Sequence, residues 1–194
     1  MRFRGKRRQK PVEVTPIPLA QPFVLIGLMG AGKSSIGLRL AERTGRRFVD
    51  SDDEIVEAAG CSIADIFAIH GEPIFRDLEE RVIKRLLEQD DIVLATGGGA
   101  WMQPAVRDMI KEKAISLWLR ADLDVLVQRV EKRNHRPLLE QGDKREILSK
   151  LMEERYPIYG EATLTIDSNH GPHNAVVEHA IDTLLTHCSE EKKA

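Results

Sequence analysis

Cysteine is scarce in this chain: Cys61 and Cys188 lie far apart, and neither sits in a CxxC or His-bearing metal pattern. That excludes a disulfide framework and a thiolate metal site, and reduced thiols in a cytoplasmic protein are the economical reading. No apolar run is fit for a signal peptide or a membrane span. The six histidines form no HExxH, and the nearest pair, His170 and His173, lies in a Gly/Pro loop. No N-K-x-D-like guanine signature occurs, which disfavours a GTP-dependent switch. The sequence also contains no internal repeat.

With 194 residues, 42% of them hydrophobic and 31% charged, the chain has the make-up of one globular domain. The formal charge of -2 conceals an asymmetry, since residues 1–10 carry six Lys or Arg and no acid, leaving -8 on the remainder. That basic start runs into the proline-rich PVEVTPIPLAQP, so residues 1–20 read as a flexible arm. It is either a solvated extension or a weak tether to nucleic acid or an anionic surface.

Short apolar runs bounded by turn residues, at 22–27, 46–50, 91–97, 114–120 and 162–167, predict five strands. Between them, apolar residues at helical spacing predict helices over 33–44, 71–89, 122–132, 143–156 and 174–187, with Ser62, Asp122 and Asp143 as caps. Such alternation implies an α/β fold with a parallel five-stranded sheet. Ligands in such folds bind beyond the carboxyl ends of the strands, which directs attention to the strand-to-helix loops.

GLMGAGKS, residues 27–34, satisfies G-x-x-x-x-G-K-[ST] between a predicted strand and a predicted helix. Its glycines, including Gly30 and Gly32, let successive N–H groups face a phosphate, and the helix N-terminus adds partial positive charge. Lys33 supplies a cation for the outer phosphates and Ser34 a magnesium ligand, with ATP the better guess for the nucleotide. Four acids follow closely: Asp50, Asp52, Asp53 and Glu54. SDDE reads as a capping box with Ser51 at the cap, which accounts for Asp53 and Glu54. A carboxylate at Asp50, the strand end, would be repelled by a polyphosphate unless a cation lay between them, so Asp50 is a candidate magnesium group. Asp52 could accept the proton of a hydroxyl acceptor.

Arg155 falls on the apolar stripe of its helix just before Pro157, where the helix is expected to end; it either meets an anion in a cleft or snorkels to the surface. Arg76 is flanked by Glu72, Glu79 and Glu80 at helical spacing, the signature of a surface ion pair. Gly97, Gly98 and Gly99 end a strand, permitting close approach of a ligand to bare backbone or a loop hinge. The charged stretch 130–146 is a candidate cationic lid or a solvated connector.

Six motifs in order, GLMGAGKSS, DSD, FRxLE, GGGA, RPLL and ERxPIY, resemble shikimate kinase, and the resemblance covers residues 22 to about 187. It implies a nucleoside-monophosphate-kinase-like P-loop fold, a three-layer structure with helices on both faces of the sheet. A single kinase domain over 21–188 would carry a substrate-binding helical insertion at about 51–80 and a lid at about 130–143, followed by a tail at 189–194. It further implies ATP-dependent phosphorylation of the 3-hydroxyl of shikimate with one magnesium ion, in aromatic amino acid biosynthesis.

In that resemblance Gly30, Ala31, Gly32, Lys33, Ser34 and Ser35 hold ATP, Arg129 lies against adenine, and Arg136 reaches the transferring phosphoryl. Ser34 and Asp50 serve the metal. Asp52 binds the attacking hydroxyl, Arg76 (oriented by Glu79) and Arg155 clamp the carboxylate, and Gly97, Gly98 and Gly99 hold ring hydroxyls. Lys33, Asp52 and Arg136 are then the catalytic residues, with Phe67 and Phe75 walling the pocket. Trp101 departs from the smaller residues usual there, which would reshape the pocket edge. The resemblance suggests a monomer with no nucleic-acid or membrane partner. Alternatives are another small-molecule kinase such as a gluconate kinase, or a nucleotide-gated regulator whose basic arm binds DNA.

Overall fold

Segments apolar at every position, FVLI and IVLA among them, suit strands covered on both faces, and they occupy the middle of the sheet. In chain order the elements are β1 (Phe23–Ile26), α1 (Lys33–Thr44), β2 (Arg47–Asp50), α2 (Ser51–Ala59), α3 (Ile63–Leu86), β3 (Ile92–Ala95), a 3-10 turn (Ala100–Met102), α4 (Pro104–Lys113), β4 (Ile115–Arg120), α5 (Leu123–Glu131), α6 (Lys144–Tyr159), β5 (Leu164–Asp167) and α7 (His173–Glu191). The structure, a computed structural model, describes residues 13–132, 142–169 and 171–193. The basic residues of the arm, most of the expected lid with Arg136, and His170 lie outside the described residues.

All strand pairs are parallel, in the order β2-β3-β1-β4-β5. The strand order reverses at β1, with β3 and β2 on one side and β4 and β5 on the other. The loops after β1 and β3 therefore part at the carboxyl edge and leave a crevice there. β1 and β3 are fully buried, whereas edge strand β5 exposes Thr165 and Asp167 and buries Ile166 between them. The five expected strands and the α/β class are present.

Several boundaries differ from expectation. α3 begins at Ile63, not 71, with the predicted cap Ser62 in a reciprocal capping box with Asp65. Gly71 (φ 78, ψ 174) kinks it ahead of Pro73, and this break mimics a helix start. α4 was not among the expected helices, whereas α2 starts where SDDE and the expected helical insertion put a helix. α6 runs through Pro157 to Tyr159 instead of stopping there, and α7 continues to Glu191, so residues 189–191 of the expected tail are helix. Residues 13–20, expected to belong to the arm, are tied to the body. Thr15 N–H donates to the Arg43 carbonyl at 2.7 Å, Arg43 Nε donates to the Glu13 carbonyl at 2.8 Å, and Ile17 joins the core. Arg46 donates to the carbonyls of Leu19, Gln21 and Asp90 while stacking 3.8 Å from the Phe23 ring.

Candidate active site

Gly30 (φ 85) and Gly32 (φ 100) take the left-handed backbone that curls the loop after β1. Lys33, the first residue of α1, reaches back across that loop, Nζ donating to the carbonyls of Gly27 at 2.7 Å and Leu28 at 3.2 Å. The first turn of α1 contains no acid and no side-chain cap, so the positive end of the helix is presented to an incoming anion. Gly30, Gly32, Lys33 and Ser34 line a cleft of about 690 Å³; Ala31 is buried beneath it, and Ser35 is not among the lining residues.

Asp50 ends β2 and divides its carboxylate between two tasks. Oδ1 accepts from Asp52 N–H at 3.1 Å, which caps α2, and Oδ2 accepts from Ser34 Oγ at 2.8 Å. The helix cap is thus Asp50 and not Ser51, because the side chain of Ser51 is turned inward. Fully buried, its Oγ receives Gly97 N–H at 3.2 Å. Glu54 pairs with Arg85 at 2.7 Å instead of closing a capping box. Ser34 and Asp50 put a hydroxyl and a carboxylate side by side at the phosphate loop, the hard oxygen donors magnesium takes when phosphate oxygens and water complete its shell. No cluster of three or more His, Cys, Asp or Glu suited to a metal occurs among the described residues. Asp52 lines the same cleft.

Across from the phosphate loop, Arg76 lies between two carboxylates. Nη1 donates to Glu79 at 2.7 Å, while Nε and Nη2 reach Glu72 at 3.1 and 3.0 Å. The expected surface pair with Glu72 exists, but the partner that fixes Arg76 is Glu79, whose side chain is 1% exposed. Gln103 Nε2 donates to the same Glu79 oxygen at 2.8 Å. Burial pushes the Glu79 carboxyl above its ordinary value, with Asp52 adding to this and Arg76 and Gln103 opposing it. Burial also lowers Arg76, but Glu79 and Glu72 outweigh that and raise it overall. Glu79 Oε1 has no hydrogen-bond partner among the described residues. The glycine run permits this packing: a Cβ on Gly97 would lie 2.7 Å from Glu79 Oε1, and one on Gly99 2.7 Å from Arg76 Nη2.

Arg155 also lines the cleft, its Nη1 donating to the Gly98 carbonyl at 3.0 Å; it neither snorkels away nor ends its helix. Tyr159 Oη donates to that same carbonyl at 2.5 Å. Trp101 does not reshape the pocket edge. Its indole is 1% exposed and donates to the Ile158 carbonyl at 2.9 Å, locking the 3-10 turn to the end of α6. Phe67 and Phe75 pair with each other, ring centroids 4.6 Å apart, and are not among the lining residues; Ile63 is. Arg129 lines the cleft beside the phosphate loop and donates to Ser168 Oγ at 3.1 Å and Ser168 O at 2.6 Å, while Ser168 Oγ donates to the Ala31 carbonyl at 2.9 Å. The loop after β5 is thereby fastened to the phosphate loop. Gln103, Ser168 and the Tyr159 hydroxyl were not singled out by sequence, and Ser51 was read only as a helix cap, not as the acceptor of Gly97 N–H. Their partners are remote along the chain, and only the polar residue just ahead of Pro104 gave any local cue.

One cleft thus brings together an anion-binding loop, a hydroxyl–carboxylate pair, a second acid and three guanidinium groups, parts suited to phosphoryl transfer onto an organic acid bearing a hydroxyl. The family model for shikimate kinase matches residues 29–185. A shikimate kinase of Paramagnetospirillum magneticum is 51% identical over 174 residues, covering 90% of this chain and 89% of that one. Among solved structures, shikimate kinase from Acinetobacter baumannii in complex with shikimate superposes with TM-score 0.83 at 36% identity, covering 88% of this chain and 96% of that one. A gluconokinase from Sinorhizobium meliloti, with TM-score 0.60, 18% identity and coverage of 90% and 97%, shares the fold alone.

Proposed function

Because the chain belongs to the shikimate kinase family, we propose that the two walls of its cleft divide the labour of that reaction, the phosphate loop taking ATP and the Arg76–Arg155 wall taking shikimate. The reaction is ATP-dependent phosphorylation of shikimate, within the shikimate pathway of aromatic amino acid biosynthesis. The observation that carries the division is that Arg76 and Arg155 line the cleft that also holds Lys33 and Ser34.

In this reading the phosphate loop and Lys33 bind the triphosphate, with Arg129 beside the base and Arg136 at the transferring group. Ser34 and Asp50 would hold a magnesium ion, which would offset the charge of the phosphates. Arg76, held by Glu79, and Arg155 grip the shikimate carboxylate, which fixes the ring against Gly97, Gly98 and Gly99. Asp52 receives the proton of the 3-hydroxyl as its oxygen bonds to the γ-phosphorus, and the bond from that phosphorus to the bridging oxygen of ADP breaks. The insertion at about 51–80 and the lid at about 130–143 complete one kinase domain.

We further read the protein as a monomer of the cytoplasm needing no nucleic acid or membrane. Cys61 and Cys188, neither in a disulfide, support the compartment. No helix among the described residues is long and apolar enough to cross a membrane.

The test is shikimate-dependent ADP formation with purified protein, ATP and magnesium, beside a panel of hydroxy acids that includes gluconate. Turnover on shikimate is expected. Turnover on gluconate alone would reject the assignment.

A further inference from the structure

The Gly98 carbonyl has two donors where one would satisfy it, Arg155 Nη1 at 3.0 Å and Tyr159 Oη at 2.5 Å. One donor is a group assigned above to the substrate carboxylate. The other is a buried phenol on the same helix, one turn further along. We propose that Tyr159 is a positioning residue for shikimate: its hydroxyl keeps the Gly98 carbonyl satisfied so that Arg155 can leave that carbonyl and turn to the substrate. This rests on Arg155 being a carboxylate ligand.

The physical argument concerns what substrate binding would otherwise cost. A half-buried carbonyl that loses its only protein donor bears part of the penalty of an unmade hydrogen bond. Without Tyr159, every binding event that drew Arg155 away would carry that penalty, and shikimate affinity would fall accordingly. With Tyr159 in place, Arg155 is exchanged between two acceptors at little cost. The phenol suits a permanent donor, because burial, foremost among several influences, pushes it up to about 12, so it keeps its proton under working conditions. Its ring is fixed by Trp118 and Tyr156, with centroids 6.1 and 6.2 Å away. The Trp101–Ile158 bond holds the helix end that bears it. Gly98 itself adjoins the phosphate loop, where a Cβ would make ordinary contact, 3.6 Å from the Gly27 carbonyl.

Tyr159→Phe removes only the hydroxyl. Its KM for shikimate should rise about tenfold, or about 1.4 kcal/mol, with KM for ATP and kcat within about twofold of the parent. Arg155→Ala alone should raise the shikimate KM at least as much, and adding Tyr159→Phe to it should bring no further rise, since no arginine remains to be released. An unchanged shikimate KM in Tyr159→Phe, or an equal further rise in the Arg155→Ala background, overturns the inference. An unchanged KM in Arg155→Ala overturns the underlying assignment instead. Should Tyr159→Phe fail to fold, a crystal structure of the parent protein with shikimate decides: Arg155 is expected to have left Gly98 with Tyr159 still bonded to it, and Arg155 remaining on that carbonyl refutes the idea.

Discussion

Gly99→Ala probes the shikimate wall through a single methyl group. The backbone at Gly99 (φ -100, ψ -14) accepts any L-residue, so the substitution introduces no conformational strain. The added Cβ would instead meet Arg76, at 2.7 Å from Nη2, 2.8 Å from Nη1 and 3.0 Å from Cζ, where ordinary contact begins at 3.4 Å. The guanidinium must therefore retreat by about 0.7 Å. It has little freedom to do so, being bonded to Glu79 at 2.7 Å and Glu72 at 3.0 Å. Retreat sacrifices a charge-assisted hydrogen bond and displaces the fork from the carboxylate, together about 1.5–3 kcal/mol. The shikimate KM should then rise about tenfold to a hundredfold in a coupled ADP-release assay, with the KM for ATP unchanged. The melting temperature should barely move, because replacing glycine at a permissive position offsets some of the loss by restricting the unfolded chain. In an Arg76→Ala background the same methyl should have no further effect. A shikimate KM within twofold of the parent, or an equal loss in both backgrounds, would show that Arg76 is not what the methyl strikes.

Two other outcomes concern Asp52, which lines the cleft, and Glu79, buried behind Arg76. Asp52→Asn should lower kcat at least about a hundredfold while leaving ATP affinity within a few fold, as expected of a proton acceptor that does not hold the nucleotide; an unchanged kcat would remove Asp52 from the mechanism. Glu79 keeps its proton to higher pH in the folded chain than in the unfolded one, first through burial. Its contribution to stability is therefore present at low pH and lost as the pH rises through the raised value. Relative to the parent, the melting temperature of Glu79→Gln should increase from acid to neutral pH while its shikimate KM rises because Arg76 loses a charged partner. Melting curves that shift in parallel with pH would contradict the raised carboxyl.

How much could be read in advance depended on the range of the forces involved. The phosphate loop was legible because its glycines and Lys33 act within eight consecutive residues, and the inner strands because burial on both faces leaves them apolar throughout. α4 was hidden behind the glycine run and Pro104, although a proline at the first helical position is a start signal and Val106, Met109 and Ile110 keep helical spacing. Arg76 illustrates the limit best. Its neighbours predicted a surface pair, and that pair exists, but the decisive partner is buried by packing that spacing cannot register. Gln103 meets Glu79 only because α3 and the 3-10 turn come together, and the indole of Trp101 is consumed by α6 for the same reason. Ser51 looked like a cap by composition, yet the strand-end geometry gave that task to Asp50.

Arg43 closes the molecule upon itself. The residue takes Thr15 N–H on its carbonyl, donates to Glu13 from Nε, and grasps Glu178 of α7 with the rest of its guanidinium. An early stretch of the polypeptide and its final helix are thereby stitched at one knot on the back of α1. Trimming for crystallisation, or a protease site for tag removal, belongs ahead of Glu13, since a cut a few residues later would pull Ile17 out of the core and undo both seams together.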